Sequence, residues 1–267
     1  MLYGTAWKKE RTAGLVERAV LAGFRGIDTA CQPKHYDEAG VGTGVTAALR
    51  SGLQREQLYL QTKFTPIDGQ DPRRVPYDAK ASLPEQVRQS CRASLANLRT
   101  TYLDCLVLHS PLDTLDLTLQ VWRELEALVA SGVVRELGIS NCYQLEELQA
   151  LCAAARIPPL VVQNRFYAKT GYDREIRALC RERGMLYQSF WTLTANPQIL
   201  SHFEVQALAR RYGVTPAQLF FRGLTQIGIV PLTGTCSAEH LREDLASFDF
   251  ELEGADLRQL TALFGET

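Results

Sequence analysis

GIDTACQPKHYDEAGVGTG, residues 26–44, holds the choice between two ways of winding an α/β chain. An apolar run stops at Asp28, a polar loop carrying Tyr36 follows, and helical spacing resumes near Glu38. In a doubly wound dinucleotide fold the glycine-rich turn leaves its strand directly, so that backbone N–H groups at the helix start meet a pyrophosphate. Here GVGTG at 40–44 comes only after the polar loop. The glycine fingerprint is therefore absent, and a carboxylate closes the strand instead.

Working outward, short β-branched or apolar runs alternate with longer segments of helical period, the pattern of parallel βαβ units. The predicted strands are 2–6, 25–29, 58–64, 103–109, 136–140, 160–166, 186–191 and 228–234. The predicted helices are 12–22, 38–51, 83–98, 117–131, 143–155, 172–183, 215–226 and 237–246, and two further segments lie near 198–212 and 253–264. Gly23, Gly52, Gly132, Gly184 and Gly228 each follow a helical stretch, where a left-handed residue commonly ends one. Eight units within 267 residues predict one closed (β/α)8 barrel over the whole chain, 1–267, rather than an open sheet. The longest irregular stretch, 65–84, exceeds the about 12–15 residues beyond which loops are usually functional or mobile.

Composition excludes several partners. Twenty-nine Lys and Arg against 30 Asp and Glu give a formal charge of -1, with no basic stripe for nucleic acid or an anionic membrane surface. No window reaches the roughly 18 apolar residues of a membrane span, and the N-terminus has no apolar signal region, so a soluble, cytoplasmic protein is expected. The seven cysteines form no C-x-x-C pair and no zinc-spaced Cys/His cluster, which predicts reduced thiols and no metal.

In a (β/α)8 barrel the chemistry lies at the C-terminal strand ends. Those ends carry Asp28, Lys63, His109, Ser140 with Asn141, Gln163, Ser189, and Thr233 with Gly234, while Tyr36 lies in the loop after the second strand. A lysine ammonium near a tyrosine lowers its hydroxyl by roughly 1–3 from the usual value near 10, and an aspartate keeps that lysine charged. With a histidine to polarise a carbonyl oxygen, the set suits proton delivery to a forming alkoxide. No side chain here supplies a hydride, so a cofactor must. Trp7 and Trp191, beside strand ends, can wall a substrate pocket. Lys63 alone also admits a Schiff-base aldolase.

GFRGIDTA, a Tyr ahead of VG, LQTKF, LDCLVLHSP, ELGISN, and TPAQLFFRGLTQIGIVPLTGT followed by FDFEL occur in an order that resembles the aldo-keto reductases over almost the whole chain. The resemblance implies a barrel reducing aldehydes or ketones, with NADP(H) extended across the strand ends as the expected cofactor and a small-molecule carbonyl as the partner. It implies a tetrad of Asp28, Tyr36, Lys63 and His109 with Tyr36 as proton donor, and a carboxamide site at Ser140, Asn141 and Gln163. A monomer or weak oligomer is expected. Departures are visible too. Tyr36 follows Asp28 by eight positions, a longer gap than the family motif, and Gln188-Ser189-Phe190 replaces a Y-S-P-L run whose tyrosine stacks under the nicotinamide. Val230-Pro231-Leu232-Thr233 replaces I-P-K-S, and His240 and Asp244 stand for an arginine and an asparagine, which keeps NAD(H) open. The usual hairpin under the barrel has no counterpart ahead of the first strand. These departures also motivate a second reading, a cofactor-binding regulatory protein of the same fold with little turnover.

Overall fold

The Leu103–Leu108 run is buried at every position, as a strand must be when helices cover one face and a barrel interior fills the other. The computed structural model describes residues 1–265 and places this strand fourth of eight. The strands are β1 (Leu2–Gly4), β2 (Gly26–Asp28), β3 (Tyr59–Phe64), β4 (Leu103–Leu108), β5 (Val134–Ser140), β6 (Val161–Arg165), β7 (Leu186–Phe190) and β8 (Ile229–Thr233). All pair in parallel in chain order, and β1 meets β8 through Tyr3 and Thr233, closing the barrel.

Around it lie α1 (Thr12–Ala22), α2 (Glu38–Leu49), α3 (Leu83–Leu98), α4 (Leu115–Ala130), α5 (Leu145–Ala154) and α6 (Arg174–Arg183). The crossover from β7 to β8 holds α7 (Pro197–Leu200), α8 (Phe203–Tyr212) and α9 (Pro216–Gln226), and α10 (Ala238–Ala246) and α11 (Gly254–Ala262) follow β8. Thr215 caps α9 through its hydroxyl, and Pro216 takes the first helical position, where a missing N–H costs nothing. Among the described residues no helix is long and apolar enough to cross a membrane.

Most boundaries shift by one or two residues from the sequence reading, and three of the shifts have a visible cause. β5 begins at Val134, two residues early: Arg135 breaks its apolar pattern, yet Val134 and Glu136 on either side pair with Leu103 and Cys105. Arg135 lies 4.0 Å over the Tyr102 ring and reaches Asp104 at 3.0 Å, while Arg55 lies 4.1 Å over that same ring. α6 starts only at Arg174, since Tyr172 and Asp173 adopt left-handed backbone at φ 56° and 53°. β7 stops at Phe190, and Trp191 turns away at φ 54°.

GVGTG belongs to helix packing. Asp37 caps α2 by accepting from the Gly40 N–H at 2.9 Å, and the glycines then bring α2 against its neighbours. A Cβ at Gly42 would run into the Asn97 carbonyl oxygen and the Leu98 backbone, and one at Gly44 into the Ala13 carbonyl oxygen. Gly42→Ala should lower stability by about 1–3 kcal/mol, the usual cost of overpacking against unyielding backbone. Urea unfolding measures it, and an unchanged midpoint would show that α2 and α3 separate freely.

Candidate active site

Alternation along β3 puts Gln61 and Lys63 on one face, turned into the barrel, where a charge survives only if partnered. Lys63 is buried and donates to both carboxylate oxygens of Asp28, at 2.6 and 2.7 Å, and to the Thr29 carbonyl oxygen at 2.9 Å. Three donors thus meet three acceptors. Asp28 Oδ1 also accepts from the amides of Gln61, at 2.7 Å, and Gln163, at 2.9 Å. Gln188 completes the layer, accepting from both amides at 2.8 and 2.9 Å and returning a donor to Gln61 at 2.9 Å.

The loop between Asp28 and Tyr36 absorbs its extra length in a turn. The N–H groups of His35 and Tyr36 both donate to the Gln32 carbonyl oxygen, at 3.1 and 3.0 Å, which folds the chain back. The turn is tied to its surroundings: the Trp7 N–H donates to the His35 carbonyl oxygen, Cys31 N–H to that of Lys63, and the Gln32 amide to that of Gly69. Tyr36 is consequently brought beside its expected partners. The Lys63 ammonium lies 5.5 Å from the centre of the Tyr36 ring, and the His109 ring stands edge-on to it at 6.1 Å.

The electrostatics of Tyr36 run opposite to the simple lysine effect. Burial, followed by the Asp28 charge, raises its hydroxyl above the usual tyrosine range. The reason is the short ion pair: Asp28 neutralises the Lys63 field at its source, and desolvation then prevails. His109 moves well below the usual histidine range because burial, then Lys63, then His35 disfavour its cation. Its Nδ1 lies 2.6 Å from the Thr65 hydroxyl. The first residue is a protonated phenol and the second a neutral imidazole.

These groups open on one cleft of about 1140 Å³, larger than the about 300–1,000 Å³ usual for small-ligand pockets. Its wall includes Asp28, Tyr36, His109, Ser140, Asn141 and Gln163. Asn141, held at φ 53°, donates to the His109 carbonyl oxygen at 2.8 Å, and Ser140 donates to that of Gln163 at 2.7 Å. Trp7 and Trp191 stand at the mouth, 58% and 49% exposed, with Trp7 stacked on His35 at 4.0 Å. Thr233 and Gly234 also line the cleft, but the Thr233 hydroxyl is bonded to Asp244 at 2.7 Å and the Gly234 carbonyl oxygen to Lys8. Ser189 is off the wall: it is fully buried and shares a hydrogen bond with Thr192 at 2.9 Å. Tyr187 likewise points away and donates to Asp173 at 2.9 Å, so the rings that β7 and its exit give the cleft are Phe190 and Trp191.

Lys8, Gln61, Arg165, Gln188 and Phe190 contribute to the cleft or its floor without having stood out as site residues in the sequence. Period-two spacing from Lys63 points to Gln61, and from Gln163 to Arg165. Lys8 sits in a KKE run that reads as solvated surface, and nothing local marks it. The cysteines take no part here: burial, then the Glu38 charge, pushes the Cys31 thiol up to about 12. Arg73 and Arg74 in the long loop lie outside the cleft, and Arg74 pairs with Asp71 at 3.2 Å. The cleft lining combines amide and hydroxyl groups at Ser140, Asn141 and Gln163 with a cation, Lys8, beside Gly234, groups that could hold a dinucleotide.

The family model described as the aldo/keto reductase family matches residues 1–196. The chain is 30% identical over 248 residues to the glyoxal reductase of Bacillus subtilis (strain 168), spanning 93% of this chain and 82% of that protein. It is 26% identical over 260 residues to the methylglyoxal reductase DkgA of Salmonella typhimurium, spanning 96% and 86%. A solved aldo/keto reductase from Brucella melitensis shares the fold with a TM-score of 0.83 at 24% identity, over 98% of this chain and 94% of that one.

Lys63→Met, which leaves the Asp28 carboxylate buried and uncompensated, should cost about 3–5 kcal/mol in urea unfolding. Adding Asp28→Asn should restore a large part of that loss. Equal stability of the single and double variants would show that the ion pair does not govern the barrel interior.

Proposed function

From the premise that the chain belongs to the aldo/keto reductase family and is an oxidoreductase of aldehydes and ketones, we propose how its own residues act. A nicotinamide cofactor supplies the hydride when bound; Ser140, Asn141 and Gln163 hold its carboxamide. Tyr36 delivers the proton to the carbonyl oxygen. The observation that carries this reading is the Tyr36 ring set 5.5 Å from the Lys63 ammonium and edge-on to His109.

The division of labour follows from the charges. Tyr36 stays protonated because burial and Asp28 oppose its anion, so it meets the carbonyl oxygen as a donor. We assign the Thr65 hydroxyl as donor in its 2.6 Å contact with Nδ1 of the neutral His109 ring, which puts the ring proton on Nε2, from which it polarises the carbonyl oxygen. An aldolase role for Lys63 is disfavoured: a Schiff base needs a free amine, and this nitrogen donates to three oxygens within 2.9 Å. The assembled set of four likewise favours turnover over a purely regulatory protein. The names of the glyoxal and methylglyoxal reductases support small aldehydes and dicarbonyls as substrates. Seven unpaired cysteines fit a reducing, cytoplasmic setting.

The far end of the cleft is lined by Leu232, Glu239, His240, Glu243 and Asp244, with acids where a 2′-phosphate would need cations. We therefore infer a preference for NAD(H) over NADP(H). Burial pushes the Asp244 carboxyl up to about 6, so it is charged above that pH and repels a phosphate there. Falling pH neutralises it.

Tyr36→Phe should lower kcat on an activated aldehyde by about 10²–10⁴ while NADH affinity stays within about twofold. An unchanged rate would remove Tyr36 from the proton path. Asp244→Asn should tighten NADPH binding at neutral pH by about fivefold, the worth of roughly 1 kcal/mol of like-charge repulsion, and leave NADH unaffected. In the unaltered protein the NADH preference should narrow below about pH 6, where the proton does what the asparagine does. Fluorescence titration with both dinucleotides reads each case, and a preference independent of residue 244 and of pH would contradict the assignment.

A further inference from the structure

We propose that Arg165, the last residue of β6, is an anion-binding position in the cleft wall, holding an oxyanion of the bound ligands: a substrate carboxylate or a dinucleotide phosphate. The proposal rests on the reductase reading for its ligands and adds a residue and a charge preference to it.

Arg165 follows Gln163 by two positions, so both face the cleft, with Arg165 one step nearer the mouth. Its backbone is fixed by pairing with Phe190 across β7 and by donating its N–H to the Tyr143 hydroxyl at 3.1 Å. The guanidinium carbon lies 4.1 Å from the Trp191 ring centre, 5.3 Å from that of Tyr167 and 5.9 Å from that of Phe190. Aromatic faces attract the cation and set its plane, but they offer no lone pair in that plane to its N–H edge.

That edge lacks an acceptor. Arg165 Nε is buried and has no hydrogen-bond partner, and among the described residues no carboxylate pairs with the side chain. The other arginines near the barrel end differently: Arg55 meets Asp104 at 2.7 Å and Arg177 donates to the Tyr172 carbonyl oxygen at 2.7 Å. Asp28, the acid at the centre of the cleft, is saturated by Lys63 and two amides. A buried N–H with no partner is costly, and a planar fork of donors is matched in geometry by a carboxylate or phosphate. Stacking fixes the fork, and the ligand completes it.

The test compares the full-length protein with Arg165→Met and Arg165→Lys. Two readouts are taken: affinity for NADH and for ADP-ribose by fluorescence, and kcat/KM on pairs similar in size but different in charge, glyoxylate against methylglyoxal and 4-carboxybenzaldehyde against 4-nitrobenzaldehyde. Arg165→Met should lose about 10–100-fold, the worth of a charge-assisted hydrogen bond, and Arg165→Lys should recover part of it. Loss confined to the carboxylate member of a pair identifies a substrate anion. Loss of NADH and ADP-ribose affinity, with both members of each pair falling together, identifies the phosphate. Changes within about twofold in every readout, with or without a drop in thermal stability, overturn the proposal and leave Arg165 a stacked structural residue. If Arg165→Met does not fold, Arg165→Gln carries the comparison with Arg165→Lys. Should no aldehyde be reduced by any form, the reductase reading fails separately, and the dinucleotide titrations still decide the phosphate half while binding of 4-carboxybenzyl alcohol decides the carboxylate half.

Discussion

The buried ion pair of Asp28 and Lys63 is the constraint to which the rest of the site is fitted. Two charges inside a barrel are tolerable only with short contacts and with their remaining hydrogen-bonding capacity met. The contacts here are 2.6 and 2.7 Å, and the remaining capacity is met by the Thr29 carbonyl oxygen and by the amides of Gln61 and Gln163. Gln188 then ties those two amides together, so that strands β2, β3, β6 and β7 are joined by polar contacts through the barrel interior. A layer that apolar side chains would fill in many barrels is given over to holding one ammonium in place.

That layer also sets the proton chemistry above it. An unpaired Lys63 would draw the Tyr36 hydroxyl toward ionisation, against the effect of burial. Pairing cancels most of the field, so the phenol keeps its proton, the state that the proposed donor role requires. Lys63 also adds to burial in keeping the His109 ring neutral. Burial does the larger share in both groups, which ties the function of the site to how completely the loops close over the strand ends.

Much of this was legible in the sequence, and the legible parts share a physical cause. Asp28, Lys63 and His109 interrupt apolar strands at their ends, where a hydrophobic pattern makes any charge conspicuous. The long gap to Tyr36 was visible as well, but its resolution was not: the backbone turn at Gln32 and the tie from Trp7 to His35 are main-chain contacts that residue identity does not encode. Gln61 and Gln188 were hidden differently, since an uncharged amide in a strand reads as a mild exception, and their meaning arises only when four strands converge. GVGTG shows the converse, a sequence that invites a phosphate reading while its glycines answer to the closeness of Asn97 and Ala13.

The charges that remain around the cleft are unevenly placed. Lys8 stands by Gly234 between β1 and β8, Arg165 stands at the end of β6, and Glu239, Glu243 and Asp244 lie along α10. A dinucleotide laid through the cleft must present its phosphates to cations and keep further negative charge away from the acids. Asp244 is itself held by Thr233, a residue that in the family pattern would face the cofactor, so the acid and the strand end are built as one unit. Removing a phosphate-binding lysine and arginine would only weaken NADP(H). Asp244, at a position the family pattern gives to an asparagine, adds a hydrogen-bonded carboxylate beside them, and its charge underlies the proposed NAD(H) preference.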